Sequence, residues 1–148
     1  MSITLRSAVL AAMAVGGATF AACTTSDAPT GRAVTSSWAR TADSGATGGA
    51  YLTIVNHDST AVELVGASSE AAVSVEVHES MQHDGMSHMM ARASVAIGAR
   101  DSVVMAPGGL HVMLNQLTRA LAAGDSVPLI LRFSNGDTVR VSVPVRAP

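Results

Sequence analysis

From Ala33 onward, the apolar residues of this chain come in short runs that alternate with polar residues and are separated by turn signals. Such a period of two residues is typical of β-strands with one buried face. We predict nine strands: Val34–Arg40, Ala50–Asn56, Ala61–Ser68, Ser74–Glu79, Met89–Ala96, Asp101–Ala106, His111–Asn115, Ser126–Phe133 and Thr138–Val145. The pattern indicates an all-β, single-domain fold, an antiparallel sandwich of roughly seven to nine strands.

The N-terminal segment is typical of exported proteins. After a single positive charge at Arg6, residues 7–22 form an apolar run rich in Ala, Val and Gly. This run has the length of a signal-peptide core and falls short of a membrane-spanning helix, which needs about 20 apolar residues. It ends in small residues before Cys23 and resembles a bacterial lipobox, with Phe20 at the position usually taken by Leu. The alternative is simple secretion, with Cys23 removed or left free.

These features divide the chain into three parts. We expect residues 1–22 to be a signal peptide of the lipoprotein type and Cys23 to be lipidated. Residues 23–32, which are mostly Thr, Ser, Asp, Pro and Gly, are predicted to be a flexible tether. Residues 33–148 are predicted to form the β-sandwich domain, which would be periplasmic or otherwise extracytoplasmic and anchored to a membrane.

Composition argues against two classes of function. The net charge is −2, and all nine basic residues are Arg. No basic run could neutralise a series of phosphates, so nucleic-acid binding is not expected. No Ser/His/Asp set, paired carboxylates or Cys-x-x-Cys motif occurs at a suggestive spacing, so we do not expect an enzyme. Because Cys23 is the only cysteine, the fold has no internal disulfide.

Methionine is the unusual component, because six of the eight lie between Met81 and Met113, close to several histidines. His111 and Met113 are two residues apart on a predicted strand, so their side chains project from one face. His78 closes an earlier predicted strand and Met89 opens the next, with a hydrophilic loop between them. If these strands are neighbours, the four side chains converge at one rim of the sandwich.

The types of these four donors favour copper(I). Two thioethers are soft, neutral ligands that prefer Cu(I), and two imidazoles add affinity without adding charge. Zinc and iron sites use thiolates or carboxylates beside imidazoles, and a blue-copper site needs a cysteine thiolate. Since Cys23 lies at the predicted processed N-terminus, none of these other sites is expected.

The spacing of the four donors also resembles that of a known family. Ten residues separate His78 from Met89, twenty-one separate Met89 from His111, and one separates His111 from Met113. This spacing is similar to the signature of the periplasmic copper chaperones of the PCuAC type. The resemblance extends from about Ala33 to Val145 and implies a cupredoxin-like or Ig-like β-sandwich that binds Cu(I) near its surface. It also implies delivery of copper to the copper-bearing subunit of cytochrome c oxidase, directly or through a Sco-type copper protein.

Five further donors, in the predicted loop or beside it, are candidates for a secondary copper site: Met81, His83, Met86, His88 and Met90. Such a site would be weaker and could also take Cu(II), through His83 and His88. The alternative is that most of these residues are solvated loop residues or packing residues. Glu79 and Asp84 are candidates for accepting a hydrogen bond from a ligand imidazole.

Two other functions remain open at this point. Envelope copper sequestration or resistance would use the same site without a specific recipient, and it favours several ions per chain. A surface module for protein interaction would retain no metal. Delivery, which is the function that we predict, favours one tightly bound ion on a monomeric protein.

A histidine must be neutral to coordinate a metal, so protons and Cu(I) compete for His78 and His111. We predict that the affinity for Cu(I) falls as the pH is lowered from about 7.5 to about 5, the range in which imidazoles titrate. The measurement is an anaerobic titration against a chromophoric Cu(I) chelator at each pH. An affinity that stays constant over this range would contradict histidine ligation.

Overall fold

The computed structural model describes residues 30–148. This part of the chain contains ten β-strands and no helix. The strands are β1 (Arg32–Arg40), β2 (Gly48–Asn56), β3 (Val62–Ser68), β4 (Ala72–His83), β5 (Met86–Ala91), β6 (Val95–Ile97), β7 (Ser102–Val104), β8 (Leu110–Leu117), β9 (Ser126–Phe133) and β10 (Thr138–Arg146). None of these residues belongs to an apolar helix long enough to span a membrane. The predicted signal peptide, Cys23 and most of the predicted tether lie outside the described residues.

The strands form two layers that share one hydrogen-bonded seam. The first layer has the order β5-β4-β8-β2-β1, with the short β7 also paired to β2, and the second has the order β10-β9-β3-β6. At the seam, β1 and β10 pair in parallel through Ala39–Val145 and Arg40–Arg146. The other strand pairs are antiparallel. The predicted all-β, single-domain fold is therefore confirmed, with this parallel pair as its one departure from the antiparallel pattern.

Hydrophobic alternation along the strands builds the core between the layers. In β9, Val127, Leu129 and Leu131 are buried and alternate with more exposed residues. In β8, Val112 and Leu114 are buried in the same way. The buried apolar side chains of both layers form one cluster. The inward face of each strand is therefore set by burial of its apolar residues.

One predicted loop is instead part of the sheet. β4 continues to His83 and β5 begins at Met86, so the residues between His78 and Met89 form a β-hairpin. Its turn, Asp84-Gly85, has positive φ at both residues (51° and 75°), as a two-residue type I′ turn requires. The prediction was wrong here because the hairpin strands carry Ser, Gln, His and Met rather than alternating apolar residues.

The predicted strand Met89–Ala96 was also wrong, because the two layers divide it. β5 ends at Ala91 beside β4, whereas β6 pairs with β3 in the second layer. Arg92 begins the crossing between them, and its backbone N–H donates a hydrogen bond to the carbonyl of Val77. All six side chains of β5 are exposed, so the hairpin extends past the core.

Asn56, at the end of β2, is fully buried. Its side-chain amide donates hydrogen bonds to the carbonyls of Thr60 (2.9 Å) and Gly98 (3.0 Å), and its side-chain oxygen accepts one from the N–H of Asp58 (3.1 Å). We predict that Asn56→Ala lowers the free energy of unfolding by about 2–4 kcal/mol, because each hydrogen bond is worth about 1 kcal/mol and its buried partners are left unsatisfied.

Chemical denaturation of both proteins measures this difference. Asn135→Ala is the matched control, because it removes an amide of the same type from an exposed turn. The control should change the free energy of unfolding by less than about 1 kcal/mol. If both variants lost the same free energy of unfolding, the buried hydrogen bonds of Asn56 would contribute no more to stability than the exposed ones of Asn135.

Candidate metal centre

The antiparallel register of β4 and β8 places His78 directly opposite His111, and Glu76 opposite Met113. Opposed side chains in an antiparallel pair project from the same face of the sheet, with Cβ atoms about 5 Å apart. The ring centroids of the two histidines are 6.1 Å apart. With a metal–nitrogen bond of about 2 Å, both rings are within reach of one ion between them.

Met89 joins this group from the other side of β4. It is opposite Ser80, which lies on the same face of β4 as His78. The register therefore places all four predicted ligands on one face of the first layer. This face is the outward one, because Val77 and Val112, on the other face, are buried in the core. The group lies on the outer surface of the sheet rather than at the rim that the sequence suggested.

The four side chains differ in their exposure to solvent. His111 is 6% exposed and the His78 side chain is 17% exposed, whereas Met89 is 60% exposed. Met113 is half-buried. The imidazoles thus lie against the sheet and the Met89 thioether lies toward solvent. An ion held by these donors is accessible from the methionine side.

Hydrogen bonds determine which nitrogen of each imidazole is free for a metal. His111 Nδ1 donates to the carbonyl of Gly109 (3.0 Å), so its Nε2 carries the lone pair. His78 Nε2 lies 3.0 Å from the Glu76 carboxylate, which can only accept, so Nε2 is the protonated nitrogen of that ring. His78 Nδ1 is buried and has no hydrogen-bond partner within residues 30–148. A buried lone pair without a partner fits a metal ligand.

Glu76 holds the His78 ring in this orientation. Asn115 Nδ2 donates to the same carboxylate oxygen at 3.2 Å. The hydrogen bond from His78, and next the one from Asn115, lowers the pKa of Glu76 below its usual value. The carboxylate therefore remains ionised and accepting at neutral pH.

Glu79 and Asp84, which the sequence suggested for this role, make no hydrogen bond with His78 or His111, whose partners are Glu76 and Gly109. Glu79 is on the opposite face of β4, where it accepts a hydrogen bond from Arg92 Nε (2.6 Å). Asp84 lies in the hairpin turn, beyond the end of β4. Glu76 could have been found from its position two residues before His78, since residues at that spacing share a face of a strand.

Aromatic side chains border His111 on the side of β2. The ring centroid of Tyr51 is 6.4 Å from that of His111 and 4.5 Å from that of Trp38. The Arg40 guanidinium lies 5.5 Å from the Tyr51 centroid and 6.0 Å from the Trp38 centroid. This stack shields His111 from water on one side, and His78 borders it on the other.

The donor set depends on methionine. Among the residues that the structure describes, no three His, Cys, Asp or Glu side chains are grouped so that they could hold a metal ion. The thioethers of Met89 and Met113 are on the same face as His78 and His111, so they are the candidates for completing a site there. That combination suits soft copper better than zinc, iron or magnesium.

The five other histidines and methionines of this region lie on the opposite face of the hairpin. The register arranges them, together with Glu79, as three opposed pairs: Met81–His88, His83–Met86 and Met90–Glu79. His78 and Met89 are on the other face. The structure thus separates the predicted primary and secondary donors into two sets.

Residues 33–145, from β1 to β10, match the family described as "Putative lipoprotein LpqE-like". The chain belongs to the LpqE-like family. A curated relative, "Putative lipoprotein Lxx21020" from Leifsonia xyli subsp. xyli (strain CTCB07), is 39% identical to this LpqE-like chain over 114 residues. These residues are 76% of the chain and 68% of the relative.

Solved structures of a PCuAC domain and of a second copper-binding protein have the same fold as this LpqE-like chain. The copper-bound PCuAC domain from PmoF2 has a TM-score of 0.66 at 24% identity, covering 79% of this chain and 93% of that domain. The solution structure of CuI-DR1885 from Deinococcus radiodurans has a TM-score of 0.59 at 30% identity, covering 76% of this chain and 78% of that one. The predicted resemblance to PCuAC-type proteins is confirmed.

We predict that Glu76→Ala weakens Cu(I) binding by about 10–100-fold, because His78 loses the acceptor that keeps its proton on Nε2. Glu76→Gln retains an acceptor oxygen and should lose less. Competition with a Cu(I) chelator measures the affinity. Long-range ¹H–¹⁵N correlation spectra of the His78 ring measure the tautomer directly.

Glu79→Ala is the matched control, because it removes a carboxylate from the same strand but from the opposite face. Its affinity for the tightest Cu(I) ion and its His78 tautomer should both be those of the wild type. Equal losses in Glu76→Ala and Glu79→Ala, or an unchanged tautomer in Glu76→Ala, would contradict orientation of His78 by Glu76.

Proposed function

We propose that this LpqE-like protein is an extracytoplasmic copper chaperone that carries one Cu(I) ion on His78, Met89, His111 and Met113. The main observation in support of this proposal is the pair of imidazoles, His78 and His111, that are opposed across β4 and β8. Within the described residues, His78 Nδ1 is buried without a partner and His111 Nε2 has its lone pair free. The shared fold supports it, since two of the similar structures are named as copper-bound or CuI forms.

The oxidation state follows from the donors. Neutral imidazoles and thioethers add no negative charge to offset that of the ion, and they bind by softness, which favours monovalent copper over divalent ions. The only cysteine of the chain is Cys23, far along the chain from these donors and ahead of the first strand. Thiolate sites for zinc or for electron-transfer copper therefore have no candidate ligand here.

The burial of the donors suits both capture and release. His78 and His111 hold the ion against the sheet, on the side where the aromatic stack limits access of water. Met89 is exposed on the outermost strand of its layer. An acceptor can approach from that side and replace the Met89 thioether first. Ligand substitution of this kind passes Cu(I) from protein to protein without releasing it into water.

We also propose a location at a membrane surface outside the cytoplasm. The apolar run of residues 7–22 leads to Cys23, and both the family and its Leifsonia relative are described as lipoproteins. Lipidation of Cys23 would leave a tether that ends before β1, whose first residue, Arg32, was predicted to belong to the tether. A tether of fewer than ten residues reaches at most about 35 Å, so the domain would stay close to the membrane.

The recipient is proposed to be a copper protein at the same membrane. The family resemblance implies the copper-bearing subunit of cytochrome c oxidase or a Sco-type copper protein. Both would be reachable by a domain on a short tether. The protein itself carries copper and catalyses no reaction in this proposal.

The first test is the stoichiometry of Cu(I) binding. We predict one tightly bound Cu(I) per chain, measured anaerobically against a chromophoric chelator. In His111→Ala/Met113→Ala, half of the donors are gone, and the Kd of that ion should rise by more than about 100-fold.

The matched control for this variant is His57→Ala/Met105→Leu. It removes one histidine and one methionine from outside the site, and the Leu keeps the volume of the buried Met105 side chain. The control should retain the tight ion. Similar losses in both double variants, or a wild type without a tight ion, would overturn the proposed site.

Copper sequestration without a recipient is the second candidate function. The five additional donors on the opposite hairpin face favour it, because they offer capacity for more than one ion. Transfer separates the two functions. We predict that the Cu(I)-loaded protein passes most of its copper to an apo Sco-type or dinuclear-copper domain, as measured after chromatographic separation. Retention of copper against both acceptors would favour sequestration.

A further inference from the structure

We propose that the β4–β5 hairpin has a second, weaker Cu(I) site on its other face, formed by Met81, His83, Met86 and His88. We call this face, with Met90 included, the hairpin donor face. The inference deepens the proposed function, because it concerns the same cargo, but it depends on different residues. It can therefore stand or fail independently of the first site.

The register brings the four donors together. Met81 is opposite His88, and His83 is opposite Met86. Opposed Cβ atoms are about 5 Å apart and diagonal neighbours about 7–8 Å apart, a span that long side chains can close around one ion. The two-residue turn Asp84-Gly85 fixes the register, and a slip of one residue would turn the side chains to the other face. Two imidazoles and two thioethers therefore share one face.

Exposure distinguishes these methionines from packing residues. Met81 is 39% exposed, Met86 61% and Met90 49%. The hairpin extends past the core, whose last buried side chain on this face of β4 is Val77. Methionine normally fills buried gaps, as Met105 does here, and a half-exposed methionine adds little to stability. The hairpin donor face thus presents its thioethers to solvent, where an ion can reach them.

The donors are also segregated between the two faces of the ribbon. Within residues 80–89, the outward face carries Ser80, Gln82 and Ser87, and its one sulfur is that of Met89. On the hairpin donor face, every position of the hairpin beyond Glu79 is His or Met. A strand that was merely solvated would carry ordinary polar residues on both faces. The concentration of His and Met on one face therefore indicates that this face binds a ligand.

The charges around the hairpin donor face favour a soft ion. Glu79 is engaged by Arg92 in an ion pair and a hydrogen bond. Asp84 lies 3.4 Å from Nε2 of His83, close enough for an exposed ion pair when that imidazole is protonated. With both acidic groups engaged, this face offers neutral nitrogen and sulfur donors. Such a set selects Cu(I) over zinc or other divalent ions.

Solvent access makes the second site the weaker one. Its histidines His83 and His88 are exposed, whereas His111 in the first site is buried beside the aromatic stack. An exposed ion can be displaced by water and by competing ligands from several directions. The second site therefore fills after the first and exchanges faster.

Silver(I), a diamagnetic and redox-stable analogue of Cu(I), tests this by NMR of the protein labelled with ¹³C in its methionine methyl groups. We expect the first equivalent of Ag(I) to shift the methyl signals of Met89 and Met113, and the second to shift those of Met81 and Met86. The buried Met105 is the internal reference and should not move.

Two variants connect the shifts to their ligands. His83→Gln/His88→Gln should abolish the shift at the second equivalent and retain the first. His111→Gln/Met113→Leu should abolish the shift of Met89 and retain those of Met81 and Met86. The hairpin histidines are exposed, so the ¹H–¹⁵N spectrum of the first variant should show an unchanged fold.

The proposal is overturned if Met81 and Met86 do not shift at two equivalents, or if their shift survives in His83→Gln/His88→Gln. Shifts confined to Met81 and Met86 would support the second site and refute the proposed chaperone site. Shifts confined to Met89 and Met113 would support the chaperone site and refute the second one. A face that takes only Cu(II) would leave Ag(I) unbound, which also refutes the proposal.

Discussion

The antiparallel register of β4 and β8 is the constraint on which the candidate metal centre depends. Val77 on β4 and Val112 on β8 are opposite each other and buried in the core. A slip of β4 by one residue would expose Val77 and turn His78 away from the outward face. Hydrophobic burial therefore decides that His78 and His111 share that face. The imidazole pair is organised by the fold before any ion binds, so binding need not order it.

Most of the fold could be predicted from hydrophobic alternation and turn signals. The predicted bounds of β9, Ser126–Phe133, are those of the structure, because every second residue of that strand is apolar and buried. The hairpin could not be predicted in the same way. All side chains of β5 are exposed, so no alternation marks it. Asp84-Gly85 was a local signal for the turn. A turn signal of this kind predicts a hairpin only where the segments on both sides are also recognised as strands.

The candidate site could be predicted in composition but not in geometry. A spacing of two residues correctly places His111 and Met113 on one face, because that rule is local to a strand. The face of Met89 relative to His78 depends on which residues of β4 and β5 are opposed, and no local rule gives this. Glu76 was missed for a different reason. Carboxylates were sought after His78, at Glu79 and Asp84, whereas the strand geometry favours the residue two positions before it.

The position of β5 at the end of its layer links copper binding to the local stability of the hairpin. β5 is paired on one side and buries no side chain, whereas β8 is paired on both sides. Such an outer strand opens by local unfolding, with fast amide hydrogen exchange, while a central strand opens only with the whole domain. An ion bound by both Met89 on β5 and His111 on β8 would couple the local opening of β5 to the stability of the central strand. Binding would raise the free energy of detaching β5, and by linkage an event that detaches β5 would lower the affinity for copper. Loosening this one strand would then release the ion and leave the imidazole pair intact.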